Sequence, residues 1–522
     1  MTTLIQNPQV KDCLHVEVLA NEKVFLLSEN ASWLLGGKTY PHLVPLLTGE
    51  HTAGELVQKL AGVASPAEVH YALHQLAASG YVVEAERDEV APHTASQTAF
   101  WHALGVDAKT ARQRLAQTCV RITCLGFDQP SYFQTALSEL GVITASHDEG
   151  TSDIKMFEVV LVDDYMQPEL AEINQRHVRE NTPWMMVKLI GQQAWIGPIF
   201  RPGVTGCWEC LSQRLKPNRQ LETYIQSKTG QTASLPTSRA YLPSTVAMGA
   251  QWAATEVLKW ILQGKNPALE GQIITLDTAT ARTHKHVLVR RPQCAACGDP
   301  VAHKQPRAIT LASSKKRHSN DGGHRTITPD ETYQRYAHLI SPITGVVTWM
   351  QDITEDGKGL AYSYIAGHNF ANVQNNVRWL QDNLRSRAGG KGMSDIQAKV
   401  SAIGESIERY SGVYRGDEYV ARGSLRSLGQ TAIHINDVLC ISDKQYANRF
   451  VWNKQQNLDQ FHLVPEPFNP NLEIDWNPLW SLTNHEFKWL PSALCYYGHP
   501  ECRKYFFCMA DSNGASAGNT ME

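Results

Sequence analysis

Two CxxC pairs constrain the fold of this chain more than any other feature. They are Cys207–Cys210 and Cys294–Cys297, and a stretch as long as a small domain separates them. Four cysteine thiolates form the closed tetrahedral site that holds a structural Zn²⁺ ion, but this separation is too long for a small zinc ribbon. We therefore expect the site to fasten the end of one domain to its own middle. The alternative is a redox CxxC, which two paired motifs disfavour.

Short apolar runs alternate with helical patterns around these cysteines. Val120–Leu125, Val159–Val162 and Trp184–Val187 have the composition of buried strands, and Ser244–Leu262 has that of a buried helix. Such alternation predicts a doubly wound α/β domain with a parallel sheet. The turn after the first strand, Leu125–Pro130, contains one glycine, whereas a dinucleotide-binding turn contains three. We therefore expect that this domain does not bind ATP.

A second pattern lies at Gly389–Ser411, which reads GGKGMSDIQAKVSAIGESIERYS. At 3.6 residues per turn the segment predicts an amphipathic helix. Glu405 and Glu408 are three residues apart, so their carboxylates are neighbours on its polar face, together with Ser401. The apolar stripe of this helix consists of Ile396, Val400, Ile403, Ile407 and Tyr410.

Two adjacent carboxylates repel each other unless a proton or a cation lies between them. A Mg²⁺ ion that is held by carboxylates and by nucleotide phosphates meets this need. Lys391, just before the helix, and Arg409 on its flank are placed to contact a phosphate. The alternative is an ordinary surface helix with an ion pair between Glu405 and Arg409.

The first 90 residues predict a winged helix. Leu14–Val18, Val24–Leu27 and Tyr81–Val83 have strand character. Thr52–Glu55 and Ser65–Glu68 are capping boxes that begin two helices. The second helix has no basic face, which argues against a nucleic-acid partner. An exposed strand edge could bind an extended peptide instead, and a purely structural cap is the alternative.

Composition excludes several classes of protein. The net charge is −3, so no strong field attracts nucleic acid or acidic lipid. The chain has neither the layout of a signal peptide nor an apolar run long enough for a membrane span. Eleven cysteines with two CxxC pairs favour a reducing, cytoplasmic setting. The polar, basic residues 301–330 predict a linker.

Three ordered stretches carry a resemblance to a known family. The nucleotide-binding signature of YcaO-type enzymes is similar to three stretches of this chain, which are Ser341–Val347, Gly390–Gly392 with Ser401–Ser411, and Asp511–Thr520. The resemblance implies ATP as cosubstrate and Mg²⁺ bound by two carboxylates. The residues that it assigns to the nucleotide or its metal are Lys391, Ser401, Glu405, Glu408, Arg409 and Asn519.

Two further resemblances complete the domain prediction. The cysteine-containing region resembles the E1 (ubiquitin-activating) fold without its nucleotide loop, and residues 1–90 resemble the peptide-recognition domain of enzymes that modify ribosomally made peptides. The predicted organisation is a winged-helix leader-recognition domain at 1–90, an E1-like zinc domain at 91–300, a linker at 301–330 and the N-terminal half of a YcaO domain at 331–522.

The best-matching family is the fused heterocyclases of cyanobactin-type and related azole-peptide pathways. The resemblance implies that the first domain binds the leader of a precursor peptide. A Cys, Ser or Thr side chain then attacks the preceding carbonyl carbon, ATP phosphorylates the carbonyl oxygen, and loss of phosphate leaves a thiazoline or oxazoline. A homodimer is compatible with this resemblance.

The sequence ends at Glu522, where the family continues into a second carboxylate helix and a proline-rich tail. From the resemblance we expect a fragment of a larger enzyme or a truncated protein that is inactive alone. A non-catalytic scaffold that binds leader peptide for a separate YcaO partner is the main alternative. An adenylating enzyme of the ubiquitin-activating type is disfavoured by the single-glycine turn.

Overall fold

A computed structural model describes residues 5–19, 23–85, 95–145, 154–299, 301, 305–319, 323–355, 360–368, 387–455, 463–505, 516–518 and 520. The chain is a multidomain α/β protein, as the sequence predicts. Its described elements fall into three successive parts, each with its own sheets and its own apolar core.

The first part contains two small antiparallel sheets, in which β1 pairs with β5 and β3 lies between β2 and β4. The strands are β1 (Pro8–Val10), β2 (His15–Leu19), β3 (Lys23–Leu27), β4 (Ser32–Leu35) and β5 (Val82–Glu84). The helical segments are Tyr40–Leu43, the 3-10 turn Val44–Leu46, Ala53–Lys59 and Pro66–Ala78. Both predicted capping boxes form, since the side chains of Thr52 and Ser65 accept the backbone N–H groups of Glu55 and Glu68.

A seven-stranded sheet forms the centre of the second part, in the order β12–β11–β10–β9–β8–β6–β7. Its strands are β6 (Thr118–Leu125), β7 (Ile143–Ala145), β8 (Lys155–Val162), β9 (Trp184–Lys188), β10 (Gln193–Phe200), β11 (Gln272–Asp277) and β12 (Arg282–Val287). The predicted parallel order holds for β7, β6, β8 and β9. The sheet is mixed because the turn between β9 and β10, residues 189–192, is too short for a parallel crossover.

Helices cover both faces of this sheet. Residues alternate along β8, so Val159 and Leu161 join one core while Val160 and Val162 join the other. The helices of the second part are Ala95–Ala103, Ala108–Ala116, Ser131–Glu139, Leu170–Glu180, Trp208–Asn218, Gln220–Thr229 and Pro243–Gln263. The last of these is the long buried helix that the sequence predicts.

The third part contains two antiparallel three-stranded sheets. Their strands are β13 (Val347–Asp352), β14 (Tyr362–His368), β15 (Arg387–Gly392), β16 (Ala421–Gly423), β17 (Ile474–Ser481) and β18 (Glu486–Pro491). The α-helices are Pro329–Tyr336, Asp395–Ser411, Leu425–Leu428, Ile435–Leu439, Asp443–Gln455, Ser492–Cys495 and Pro500–Tyr505, and the 3-10 turns are Ala337–Leu339 and Gly429–Thr431.

The helix Trp208–Asn218, named here the bridging helix, connects the second and third parts. Its last residue, Asn218, donates from its side-chain amide to the carbonyl oxygen of Ile343, at 3.0 Å. On β12, His286 Nδ1 lies 2.8 Å from Ser341 Oγ. Burial lowers the pKa of His286 to about 4, so the neutral ring can accept the Ser341 hydroxyl hydrogen. The motif that begins at Ser341 is therefore a docking turn between two domains.

The helix Asp395–Ser411, named here the acidic helix, lies against β14 and β15. Its sheet-facing residues include Ala398 and Ala402, which approach the backbone of β15 at Gly390. A Cβ atom at Gly390 would lie only 2.1 Å from the carbonyl oxygen of Ala398. This close approach excludes large side chains from the interface between the helix and the sheet. The predicted apolar stripe therefore does not face the sheet, and part of it lines a cavity beside the helix.

We predict that Gly390→Ala destabilises the third part by about 3 kcal/mol, because the added methyl group overpacks a backbone-to-backbone contact. Gly389→Ala is the matched control, since a Cβ atom there would meet only Glu405 Oε2, at 3.9 Å. Urea unfolding of the two variants measures the difference in the free energy of unfolding. Equal stability of both variants would contradict the packing described here.

Candidate functional site

A cavity of about 520 Å³ runs along the acidic helix. Its walls come from that helix, from the helix Pro329–Tyr336 and from the small residues Ala517 and Gly518 near the end of the described chain. The acidic helix contributes Val400, Ser401, Ile403, Gly404, Glu405, Ile407 and Glu408. The cavity therefore joins the predicted carboxylate pair to part of the predicted small-residue loop.

The structure brings three predicted residues together in this cavity, namely Ser401, Glu405 and Glu408. Glu405 Oε2 accepts the backbone N–H of Gly389 at 2.9 Å, which ties the carboxylate to the end strand of the sheet. Its other oxygen lies 3.4 Å from Arg409 Nη2. The ion pair of the surface-helix alternative is thus present. Both carboxylates nevertheless line one concave cavity, which an ordinary solvated helix face does not provide.

Lys391 is not brought to the carboxylates. The sequence predicts that Lys391, just before the helix, contacts a phosphate, but it lies on β15, where Gly390 faces the acidic helix. Neighbouring strand residues point to opposite faces, so the exposed Lys391 side chain lies on the far side of the sheet. Asn519, the remaining predicted nucleotide contact, lies outside the described residues, as does most of Asp511–Thr520.

Sequence reasoning missed three cavity residues, one in the predicted linker and two in the first helix of the third part. Arg325, Thr332 and Tyr336 line the cavity together with the acidic helix, and the Arg325 Nε atom is buried without a hydrogen-bond partner among the described residues. A signal was available, because Thr328 and Glu331 form a capping box that begins the helix Pro329–Tyr336. The predicted linker therefore contributes Arg325 to the cavity.

The four cysteines of the CxxC pairs converge at the start of the bridging helix. Their sulfur atoms all lie within 4.8 Å of one another. The Sγ atoms of Cys207 and Cys294 are 3.7 Å apart, and those of Cys210 and Cys297 are 3.5 Å apart. As the sequence predicts, the cluster joins the middle of the second part, at Cys207 and Cys210, to its end, at Cys294 and Cys297.

A second group of potential ligands, Asp475, His499 and Glu501, also lies within 4.8 Å. The backbone N–H of Glu501 donates to His499 Nδ1 at 3.2 Å, so the neutral ring carries its hydrogen on Nε2. That nitrogen faces Asp475 at 3.8 Å and has no lone pair for a metal. Arg422 already pairs with both carboxylates. This group is therefore an internal ion network.

Two family profiles match the two ends of the chain. The profile of the YcaO cyclodehydratase domain, described as ATP- and Mg²⁺-binding, matches residues 389–522. The profile of a winged helix-turn-helix domain matches residues 9–84. A comparison with curated proteins returned no match. No helix in the described ranges combines the length and the apolar character that a membrane span requires.

Two solved structures resemble nearly the whole chain. A heterocyclase in complex with substrate and cofactor is 39% identical, with a TM-score of 0.89, over 99% of this chain and 68% of that one. The heterocyclase TruD is 34% identical, with a TM-score of 0.79, over 99% of this chain and 67% of its own. The chain thus spans about two thirds of each structure. It belongs to the YcaO-type heterocyclases, which are ATP-dependent peptide cyclodehydratases.

Proposed function

We propose that this protein uses ATP to convert Cys, Ser or Thr residues of a ribosomally made precursor peptide into thiazoline or oxazoline rings, and that the cavity along the acidic helix is its nucleotide site. The observation that carries the proposal is the opening of Glu405 and Glu408 into one cavity of about 520 Å³. This volume lies within the usual range of small-molecule sites.

The residues of the cavity suit a magnesium–triphosphate complex. Glu405 and Glu408 supply the oxygen ligands that Mg²⁺ prefers, and Ser401 adds a hydroxyl group. Arg325 brings a cation to the cavity lining, with an Nε that has no partner among the described residues, where it would meet a phosphate. Ala517 and Gly518 have little or no side chain, so their backbone amides could approach the phosphates closely. Bound Mg²⁺ would neutralise charge on the phosphates during phosphoryl transfer.

Cyclisation requires activation because an amide oxygen is a poor leaving group. The side-chain oxygen or sulfur of the substrate forms a bond to the preceding carbonyl carbon and releases its proton. The former carbonyl oxygen takes the γ-phosphoryl group from ATP, which leaves ADP. Loss of that oxygen as phosphate, with the proton of the amide nitrogen, forms the C=N bond of the ring. The cavity residues above hold the phosphates for the transfer.

The first part supplies a strand edge for the leader peptide. β2 and β4 are the outer strands of their sheet. β2 carries the charged Glu17 beside His15, 3.5 Å apart, and a charge on an outer strand protects the edge from pairing. β4, with the sequence Ser-Trp-Leu-Leu, has no charge, and Leu34 on it is 55% exposed. We infer that the leader adds to the sheet at β4.

The four-cysteine cluster fits a structural zinc ion. A tetrahedral Zn²⁺ with Zn–S bonds of about 2.3 Å separates its sulfur ligands by roughly 3.8 Å. The distances of 3.7 Å and 3.5 Å support this assignment, and they are too long for disulfide bonds. We infer that Zn²⁺ fastens the stretch around Cys294 to the start of the bridging helix.

We predict that Glu405→Gln and Glu408→Gln each lower ATP hydrolysis about a hundredfold or more, because metal stabilisation of the phosphates contributes several kcal/mol. Glu486→Gln, on the surface of β18, is the control and should hydrolyse ATP like the wild type. Binding of a labelled precursor peptide should stay unchanged in all three variants. Undiminished hydrolysis in the Glu405 and Glu408 variants would refute the nucleotide site.

We predict that Leu34→Glu weakens binding of a labelled leader peptide about tenfold, because it adds a charge at the proposed pairing edge. Leu19→Glu is a matched control, since Leu19 is 54% exposed on the opposite outer strand, β2. Fluorescence anisotropy measures both dissociation constants. A loss of affinity confined to Leu19→Glu would assign the leader to β2. Wild-type affinity in both variants would exclude a contact of the leader with either side chain.

We predict about one zinc ion per wild-type chain and none in Cys294→Ser, with a lowered midpoint of thermal unfolding, because zinc binding contributes to folding free energy. Cys124→Ser is the control, since Cys124 is exposed and lies outside the cluster. Elemental analysis of the purified protein measures the metal. A wild-type protein that is folded and free of zinc would contradict the assignment.

A further inference from the structure

The bridging helix connects the cysteine cluster to the acidic helix. Cys207 caps its N-terminus and Cys210 lies in its first turn. Gln213 and Arg214 follow Cys210 by three and four residues, so all three lie on one side of the helix. Gln213 and Arg214 both contact Tyr410, near the end of the acidic helix.

Tyr410 is held from several directions at once. The Gln213 side-chain amide lies 3.2 Å from its hydroxyl group. The guanidinium of Arg214 lies 4.5 Å from the ring centroid, and that of Arg415 lies 3.9 Å from it. Arg415 also donates to the carbonyl oxygen of Tyr410 at 3.1 Å. The last turn of the acidic helix is therefore held both by Gln213 and Arg214 of the bridging helix and by Arg415 of its own part.

A second connection runs parallel to the first. The backbone N–H of Arg291 donates to Cys210 Sγ at 3.4 Å, and the side chain of Arg291 forms an ion pair with Asp417. Asp417 follows the acidic helix by six residues. The segment before Cys294 and the bridging helix thus both hold the chain around the end of the acidic helix.

The burial of Arg214 is costly for stability alone. Its side chain is only 8% exposed, and its Nε and Nη1 atoms have no hydrogen-bond partner among the described residues. A desolvated guanidinium without a carboxylate partner is unfavourable compared with an apolar residue of similar size. Among the described residues, the favourable contact that offsets this cost is a cation–π contact of the Arg214 guanidinium with the face of the Tyr410 ring. Such an arrangement favours a role in orientation.

We propose that Gln213 and Arg214 are positioning residues for the nucleotide site, acting through Tyr410 on the carboxylates of Glu405 and Glu408. Tyr410 is two residues beyond Glu408 on the same rigid helix, so a displaced Tyr410 moves both carboxylates. The proposal rests on the proposed function, because it assigns Mg²⁺–nucleotide binding to those carboxylates.

The test measures the dissociation constant of a non-hydrolysable ATP analogue in the presence of Mg²⁺. Arg214→Gln and Tyr410→Leu should each weaken binding about three- to tenfold, which is the range of a desolvated cation–π contact. The double variant should be no weaker than the weaker single variant, because both act through one contact. Arg214→Lys, which keeps a cation, should restore part of the affinity.

Lys216→Gln is the matched control, since Lys216 lies on the exposed side of the same helix. Zinc content and the midpoint of thermal unfolding, measured for each variant, identify misfolded protein. Tyr410→Phe keeps the ring and removes only the hydroxyl contact with Gln213, so it tests the proposal even where larger changes unfold the chain, and it should weaken binding about twofold.

Analogue binding that is unchanged in folded, zinc-loaded Arg214→Gln and in Tyr410→Phe would overturn the positioning role and leave the nucleotide site intact. Failure of the wild-type protein to bind the analogue would overturn the proposed function as well. Additive losses in the double variant would also refute the proposal, since they would show two independent effects in place of one shared contact.

Discussion

The backbone contact between the acidic helix and β15 is the constraint on which the candidate site depends. At Gly390 the helix and the strand approach so closely that no Cβ atom fits between them. This approach puts the N–H of Gly389 within reach of Glu405 Oε2, which fixes one carboxylate against the sheet. With one face of the helix committed to small residues, its acidic sector is left to form the wall of a cavity.

The same helix also connects the domains, because its two ends have different neighbours. Its first half packs on β14 and β15 through Ala398 and Ala402. Its last turn contacts the bridging helix through Tyr410. The docking turn at Ser341 adds a third anchor, held by His286 and Asn218. The carboxylate pair therefore belongs to one domain in sequence but is oriented by two domains in space.

Local signals in the sequence predicted much of this fold, because they depend on few neighbours. The capping boxes at Thr52 and Ser65 form as predicted, since a cap needs only residues of its own helix. The cysteine pairs converge as their spacing indicates. The acidic helix, Asp395–Ser411, lies within the segment for which the sequence predicts it, although residues 389–392 at the start of that segment belong to β15.

Features that depend on a tertiary partner could not be predicted in this way. Helical periodicity reveals an apolar stripe, but it does not show whether the sheet packs on that stripe or on a narrower row of alanines. For the same reason Lys391, adjacent to the helix in sequence, lies on the opposite face of a strand. Arg325 reaches the cavity from a polar segment that carries no periodic pattern.

The joint between the domains contains directional polar contacts beside the apolar contact of Ile343 with the core of the second part, and the polar contacts have a physical consequence. Apolar side chains would hold two surfaces together in many relative orientations, because the hydrophobic effect is not directional. The contacts of Gln213, Arg214 and Arg291 are directional, and each is satisfied in only one orientation. Polar contacts stabilise a joint less per buried area than apolar contacts do, but they specify the angle of the acidic helix. The proposed Mg²⁺ site between Glu405 and Glu408 would require that angle more than additional stability.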